Sequence, residues 1–491
     1  MKLNIEHDSL FYGGEWKSPH AGGRITVVSA STEETIGSVP LASERDVDAA
    51  VRAARSAFDD PAGWASWEVA RRADAMERLA DVMETRGAEL AKLVTAQNGM
   101  PISLSMQAEA NTGPLLLRYY AALIRELGED ETRVTAGRRT LIRHEPGGVV
   151  AAIVPWNFPM GSALLKLAPA LAAGCSVVLK PATETVLDSF LLAQCIESAG
   201  IPAGVVNILP ADRDTGAYLV GHPGVDRVAF TGSTIGGRKV AARCAELLRP
   251  AILELGGKSA AIVLDDADLV TLRDQFLYNT MLNSGQTCWI STRIFVPRSR
   301  YAAYVDDITE LVSSQIVGDP FEAKTEVGPM VSSTHRDRVE RYINAGIAEG
   351  ARVTTGGGRP VGLDRGWYVE PTILADVDNG SIVAREEIFG PVLCVIPYGD
   401  IDEAVELAND SEYGLGGSVW SADPDRAVNI ARQFQTGSVS INGTPADLAA
   451  PLGGVKASGL GRALGPEGLE EYRSIKSVYL PTGSPTPAPV L

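Results

Sequence analysis

Cysteine and histidine are both scarce in this chain, with five of each in 491 residues. The cysteines (Cys175, Cys195, Cys244, Cys288, Cys394) are dispersed and form no C-x-x-C pair. They share no metal-like spacing with His7, His20, His144, His222 or His335. A disulfide scaffold is excluded, no structural metal is expected, and isolated thiols fit a reducing cytoplasm. A membrane-spanning run is missing too. The nearest approach, residues 149–179, is interrupted by Pro155, Asn157, Pro159, Lys166 and Pro169, whereas a spanning helix needs about 20 consecutive apolar residues. The first ten residues carry Lys2, Glu6 and Asp8 and lack the apolar core of a signal segment. Positive charge is in short supply: 44 Lys and Arg stand against 61 Asp and Glu, for a net charge of −17. A field of that sign repels phosphate backbones, so nucleic acid is not an expected partner. The G-x-G-x-x-G fingerprint is also absent, and an ordinary Rossmann site is therefore not legible.

What is present is an alternation of strands and helices. Ser43-Glu44-Arg45-Asp46 resembles a capping box ahead of apolar positions at helical spacing. Further helical patterns run over residues 66–96 and 104–126, and the polar, alternating stretch 132–145 reads as an exposed hairpin or arm. From Gly147 to Leu255, short apolar runs alternate with helical segments, which predicts a parallel sheet covered on both faces. Ligands of such sheets sit beyond the carboxyl ends of the strands. A second alternation from Gly257 to about Ile441 predicts a second α/β domain. The proline-rich residues 481–491 read as an extended tail.

The residues that carry chemistry each have an ordinary reading when taken alone. Gly232-Ser233-Thr234-Ile235-Gly236 follows a strand and opens a helix, as in a phosphate-binding turn or a plain Ser-capped one. Cys288, in Ser284-Gly285-Gln286-Thr287-Cys288, is a nucleophile or a small buried hydrophobe. Glu254 ends the apolar run Ala251-Ile252-Leu253, where a carboxylate needs a role or a partner such as Lys258. Asn157, between Pro155-Trp156 and Phe158-Pro159, suits a turn. Lys180 ends a strand before Pro181 and can snorkel, and Glu387 lies in Glu386-Glu387-Ile388-Phe389-Gly390-Pro391.

Together, in this order, these six motifs resemble the aldehyde dehydrogenase family across nearly the whole chain. Glu254-Leu255-Gly256-Gly257-Lys258 and Gly285-Gln286-Thr287-Cys288 match its two active-site signatures, at the spacing of its hydrolytic members. The resemblance implies an α/β fold of two parallel-sheet domains plus a small β oligomerisation arm. Residues 1–125 and 147–256 would bind the dinucleotide, 257–456 would form the catalytic domain, and 126–146 with 457–491 the arm of a homodimer or homotetramer. It implies NAD- or NADP-dependent oxidation of a small-molecule aldehyde to a carboxylic acid, through a thiohemiacetal and thioester on Cys288. Asn157 would hold the oxyanion and Glu254 would activate the water. Trp156, Lys180, Thr183, Gly232, Ser233, Ile235, Leu255, Glu387 and Phe389 would contact the cofactor. Glu254 argues against the CoA-acylating branch, and the cofactor residues argue against a cofactor-independent esterase or a purely structural protein.

Departures from the family pattern bear on specificity. Leu165, Leu282 and Leu452 stand where many members carry aromatics, bulky Trp289 follows the nucleophile, and Ala463 follows Arg462 in place of an acid. Thr183 occupies the position of the Glu that excludes a 2′-phosphate in NAD-preferring relatives. Extended backbone is expected to turn the next residue, Glu184, elsewhere, so NADP is expected to be accepted alongside NAD.

Overall fold

The computed structural model describes residues 4–128 and 130–481. The proline-rich tail lies almost entirely outside these residues. Two large sheets dominate, and the apolar runs read from the sequence are their central strands. The first sheet has eight strands. Its middle is Ala251–Glu254, Arg227–Thr231, Val149–Ile153, Ser176–Lys180 and Val206–Ile208, in that order and all parallel. The chain starts at Val149–Ile153, steps to one side twice, then crosses back to Arg227–Thr231. The order therefore reverses between these two strands, and a crevice opens there at their carboxyl ends. Gly459–Leu460 and Leu10–Tyr12 cap the two sides antiparallel, with Glu15–Lys17 outermost. These antiparallel edges, and the small sheet of Ile5–Glu6, Thr35–Pro40 and Arg24–Val28, were not part of the expected pattern. Their two- to six-residue strands are too short for a clear period.

The second sheet orders seven strands as Arg352–Thr355, Thr372–Ala375, Val392–Tyr398, Ser291–Pro297, Ser259–Val263, Gly417–Trp420 and Ser440–Ile441. Only the Arg352–Thr355 edge is antiparallel. Because Ala251–Glu254 runs through Leu255-Gly256-Gly257-Lys258 straight into Ser259–Val263, carboxyl ends of the first sheet meet amino ends of the second.

Two helical expectations are modified. Residues 66–96 break into Val69–Thr85 and Gly87–Asn98 at Arg86. The stretch 104–126 begins as a π-helical turn, Ser105–Ala110, before the α-helix Asn111–Leu127. The wider turn brings the wholly buried Glu109 to the head of the helix Pro159–Ala172, where its carboxylate accepts from Met160 N at 2.7 Å. π-bulges recur at functional positions because they re-aim a side chain without ending the helix.

The hairpin of Asp130–Thr135 and Arg138–Pro146 turns through Ala136 and Gly137, both at positive φ, as a tight two-residue turn requires. Arg473–Leu480 pairs with it antiparallel to make a three-stranded arm. The preceding residues do not join the arm: Gly459–Leu460 extends the first sheet. Arg227 ties the arm to that sheet, donating to the carbonyls of Gly147, Glu471 and Arg473. Arg227→Ala leaves three carbonyls without their donor, so we expect a loss of about 2–4 kcal/mol. Differential scanning calorimetry should show a lowered Tm, and an unchanged Tm would show that backbone pairing alone holds the arm.

Candidate active site

Asn157, Lys180, Gly232-Ser233 and Glu254 all lie at carboxyl ends of first-sheet strands. Cys288, Glu387 and Phe389 all precede amino ends of second-sheet strands. The two sets meet across one seam. Asn157 Nδ2 donates to Gln286 O at 2.9 Å, and Asn283 Nδ2 donates back to Asn157 O at 3.0 Å. A third amide, Asn98 Nδ2, reaches Trp156 O and Asn157 O. On the other side of the thiol, Gly257 N donates to Glu387 Oε1 at 3.1 Å. The Trp156 ring meets Phe389 edge-on at 5.4 Å.

The loop that carries the thiol is conformationally demanding. Asn283, Ser284 and Gly285 are consecutive residues at positive φ, a run that L side chains resist. At Gly285 a Cβ would also lie 2.1 Å from Gly390 O, so only glycine fits. Buried hydrogen bonds hold the strained turn: Gln286 Oε1 accepts from Val331 N, and Ser284 Oγ bridges to Gly328.

Cys288 keeps partial access to solvent, and the other four thiols are buried. Burial pushes its thiol up to about 12, and the carboxylates of Glu387 and Glu254 push the same way. Glu387 is itself raised to about 7 by burial, against Gly257 N–H, Arg338 and Lys258. Glu254 is buried, and its Oε1 has no hydrogen-bond partner among the described residues. Burial raises it above the ordinary carboxylate range, opposed first by Lys166 and then by Arg462. The expected alternative, a salt bridge to Lys258, is not formed: Lys258 Nζ is buried and unpartnered. Lys166 instead donates to Thr231 Oγ1 at 2.7 Å. One carboxylate oxygen is thus unpartnered and desolvated, and its charge is felt at the thiol, a combination that suits a general base.

The remaining candidates form an extended surface that fits a dinucleotide. Ser233 caps the helix Thr234–Glu246 by accepting from Gly236 N, and the helix amino end is open for an anion. Ile235 stands 70% exposed on it, an apolar surface free for an adenine face. Gly256 is a cradle, since a Cβ there would lie 2.3 Å from Glu387 Oε2. Leu255 is buried, packed into the space that Gly237 leaves. Lys180 is buried, its ammonium donating to Pro181 O at 2.9 Å. Burial lowers it to about 8, and Glu184 is the first group that raises it. Thr183 Oγ1 donates to Glu184 Oε2 at 3.1 Å. Glu184 is exposed, and its charge is felt at Lys180 without an ion pair between them. The segment after Pro181 is a bend, not continued strand.

Several residues of the seam had no sequence signal. His335 packs between Trp156 and Phe389, with ring centroids at 5.2 and 6.0 Å. Its Nε2 lies 2.7 Å from Phe389 O, so that nitrogen carries the proton, and burial lowers the ring to about 4. Arg338 Nη2 donates to Glu387 O. Lys166, Asn98 and Asn283 are likewise ordinary in local sequence. Among the described residues no cluster of His, Cys, Asp or Glu is fit to hold a metal ion, and no helix is long and apolar enough to cross a membrane.

Comparison with known proteins agrees with this geometry. The model of the aldehyde dehydrogenase family matches residues 16–478. Geranial dehydrogenase of Castellaniella defragrans is 54% identical, over 97% of this chain and all of that protein. A 3-succinoylsemialdehyde-pyridine dehydrogenase of a Pseudomonas species is 41% identical over 98% of this chain and all of its own. An aldehyde dehydrogenase of Mycobacterium tuberculosis, solved with NAD+, superposes with a TM-score of 0.96 at 43% identity, covering 98% of this chain and 100% of the other. Aldehyde dehydrogenase C of Pseudomonas syringae, a cysteine-to-alanine mutant solved with NAD+ and octanal, superposes at 0.92 with 38% identity and 96% coverage of both chains.

The Glu254–Lys166 pair makes the pH dependence of turnover testable. A general base acts as its carboxylate, so a raised Glu254 gives a rate that climbs as pH rises through its titration. Lys166→Met removes the cation that holds Glu254 down. The rising limb of kcat against pH should then move to higher pH, and a limb that stays in place would show that Lys166 does not set it.

Proposed function

This chain belongs to the aldehyde dehydrogenase family and oxidises aldehydes with NAD, and we propose that it does so through Cys288, Asn157 and Glu254. The observation that carries this reading is the convergence of a spare buried carboxylate and an amide donor on the one thiol that keeps solvent access.

The Cys288 sulfur attacks the aldehyde carbon and the carbonyl oxygen becomes an oxyanion. Asn157 Nδ2 carries two hydrogens; Gln286 O fixes one and leaves the other for that oxygen, with the Cys288 backbone N–H as second donor. One such donor typically contributes ~2.7–4 kcal/mol to the transition state. The dinucleotide, when bound, would accept the hydride that leaves the former aldehyde carbon, which becomes the carbonyl carbon of a thioester on Cys288. Lys180, Ser233, Ile235 and Glu387 would hold it, with Trp156, Leu255 and Phe389 around its reactive ring. Because Glu387 and Glu254 raise the thiol, positive charge supplied by a bound cofactor would favour the Cys288 thiolate. Glu254 then takes a proton from water, whose oxygen attacks the thioester carbon, releasing the acid and the Cys288 sulfur.

For the aldehyde we propose an elongated, apolar molecule of the kind named for the Castellaniella relative. Phe158, Leu165, Leu448 and Leu452 are half-buried against the same apolar cluster, and the rings of Tyr278 and Trp289 meet at 5.6 Å. A wall of leucines is wider than one of aromatics. We also propose residues 1–125 and 147–256, with the strand Gly459–Leu460, as the dinucleotide domain, 257–456 as the catalytic domain, and 126–146 with Arg473–Leu480 as the assembly arm. On the arm Val134, Ile475 and Tyr479 are exposed, and its outer strands offer unpaired edges of the kind a second copy covers. Five free thiols support a reducing cytoplasm.

Four variants test these statements. Cys288→Ala should abolish NADH formation from octanal while NAD binding persists, and Glu254→Gln should give one rapid burst of NADH followed by slow turnover. A single unbroken rate in Glu254→Gln would mean another base operates. Removing residues 474–491 should reduce the oligomer seen by light scattering, and an unchanged assembly would exclude the arm. Finally, the Glu184 charge, which is felt at Lys180, would repel a 2′-phosphate. NAD should therefore be preferred, and Glu184→Gln should raise kcat/KM for NADP about tenfold, the equivalent of ~1.4 kcal/mol. Equal NADP turnover in both proteins would remove Glu184 as the discriminator.

A further inference from the structure

The helix Pro159–Ala172 begins two residues after Asn157 and has no cap of its own. Phe158 stands before it and makes no side-chain cap bond, and Pro159 brings no N–H. Its first free donors are therefore the N–H groups of Met160 and Gly161. In most helices a Ser, Thr, Asp or Asn at the start accepts from such donors. Here the acceptor is Glu109, 51 residues from Met160 in the chain. Met160 N donates to Glu109 Oε2 at 2.7 Å, and Gly161 N to the same oxygen at 3.3 Å and to Oε1 at 3.4 Å. The missing side chain of Gly161 admits the carboxylate, since a Cβ there would lie 3.1 Å from Glu109 Oε1.

Glu109 reaches this place at a cost. It is wholly buried, and burying a carboxylate is unfavourable unless donors meet it. Burial pushes its carboxyl up to about 8; the N–H of Met160 opposes the rise, Asp188 adds to it, and the N–H of Gly161 opposes it again. The approach also depends on the π-turn Ser105–Ala110, tied to the preceding helix by the bond between Ser105 Oγ and Thr95 Oγ1 at 2.8 Å. One residue of α-helix turns the chain by about 100°, so a regular helix through the same residues would aim Glu109 elsewhere. The same wall grips the other side of Asn157. Asn98 Nδ2 donates to Trp156 O at 3.1 Å and to Asn157 O at 3.3 Å, and Met100 N fixes Asn98 by donating to its Oδ1 at 3.0 Å. The segment from Trp156 to Gly161 is thus held by its carbonyls on one side of Asn157 and by its N–H groups on the other.

We infer that Glu109 is a positioning residue for the oxyanion amide. By holding the N–H groups of Met160 and Gly161 it fixes the backbone from which Asn157 Nδ2 reaches Gln286 O and the reacting oxygen. Glu109 acts only through Asn157, and the inference rests on the role given to that residue. A donor displaced by about 1 Å can cost on the order of 10²-fold in rate, so a helix head left free to shift is felt in the chemical step. A cap that served the fold alone would change stability and leave that step as it is.

The test is a double-mutant cycle on the full-length protein. NADH formation from octanal is followed over a single turnover, with enzyme in excess and NAD saturating, so that the rate reports acylation and not product release. Glu109→Ala should slow this step roughly ten- to hundredfold, with NAD affinity by titration calorimetry unchanged. Asn157→Ala slows it as well, and adding Glu109→Ala to Asn157→Ala then slows it little further, because the group being positioned is gone. Glu109→Gln keeps an acceptor for Met160 N and should restore most of the native rate. If Glu109→Ala fails to fold, Gly161→Ala closes the same cycle, since its Cβ displaces the carboxylate and leaves every hydrogen-bonding group in place. The inference is overturned if the losses from Glu109 and Asn157 multiply, or if Glu109→Ala lowers Tm while the first-turnover rate stays native. A native rate in Asn157→Ala alone would sink the oxyanion reading and this inference with it. A slow Asn157→Ala with multiplying losses sinks this inference alone.

Discussion

The bond from the Asn283 amide to the Asn157 carbonyl is the stitch on which the rest of the site depends. It joins a loop at the carboxyl end of one sheet to a loop at the amino end of the other, and neither loop is regular enough to hold itself. Three successive residues at positive φ precede the thiol, each in a conformation that costs about 1 kcal/mol or more for a residue with a side chain. Asn283, Ser284 and Gln286 are buried and spend their side chains on the neighbouring loops. Strain is stored there because the surrounding bonds over-determine it. The result is a sulfur held at a fixed place relative to an amide and a carboxylate that belong to the other sheet.

Position alone would give an inert thiol, and the electrostatics are arranged accordingly. Cys288, Glu254 and Glu387 are all shifted toward their neutral forms, each first by burial. A thiol shifted in this direction is a weak nucleophile until positive charge is placed near it. The carboxylates make the site receptive to positive charge, and arrival of a cation shifts all three groups toward ionisation together. Lys166 sits on the far side of Glu254, bonded to Thr231, so it tempers the carboxylate without capping it. A direct ion pair would have satisfied Glu254 and left no base.

The parallel strands were legible because a strand buried on both faces must be apolar along its length, and 149–154, 177–179 and 251–253 are. The short edge strands were not legible, since two or three residues cannot show a period. In the site, the residues with a sequence signal are those whose type is anomalous for its place: an acid ending an apolar strand, a thiol after a glycine turn, an Asn between prolines. His335, Arg338, Lys166, Asn98 and Asn283 give no such signal. They sit on helix faces or turns where polar residues are unremarkable, and only tertiary packing brings them to Trp156, Glu387, Glu254 and Asn157. Glu109 depends on a π-turn that no local pattern announces.

Thr183 and Glu184 show the same limit at the scale of one residue. Reading the position after Lys180 by count puts a hydroxyl where a carboxylate excludes phosphate, and strand alternation sends Glu184 to the opposite face. Both steps assume that the backbone stays extended. It does not: Pro181 ends the strand, the next residues bend, and the Thr183 hydroxyl donates to the Glu184 carboxylate. The Glu184 charge is nonetheless felt at Lys180, where it opposes the lowering by burial. What excludes a 2′-phosphate is the potential at that site, and a potential depends on where a carboxylate ends in space and not on its ordinal place after a lysine.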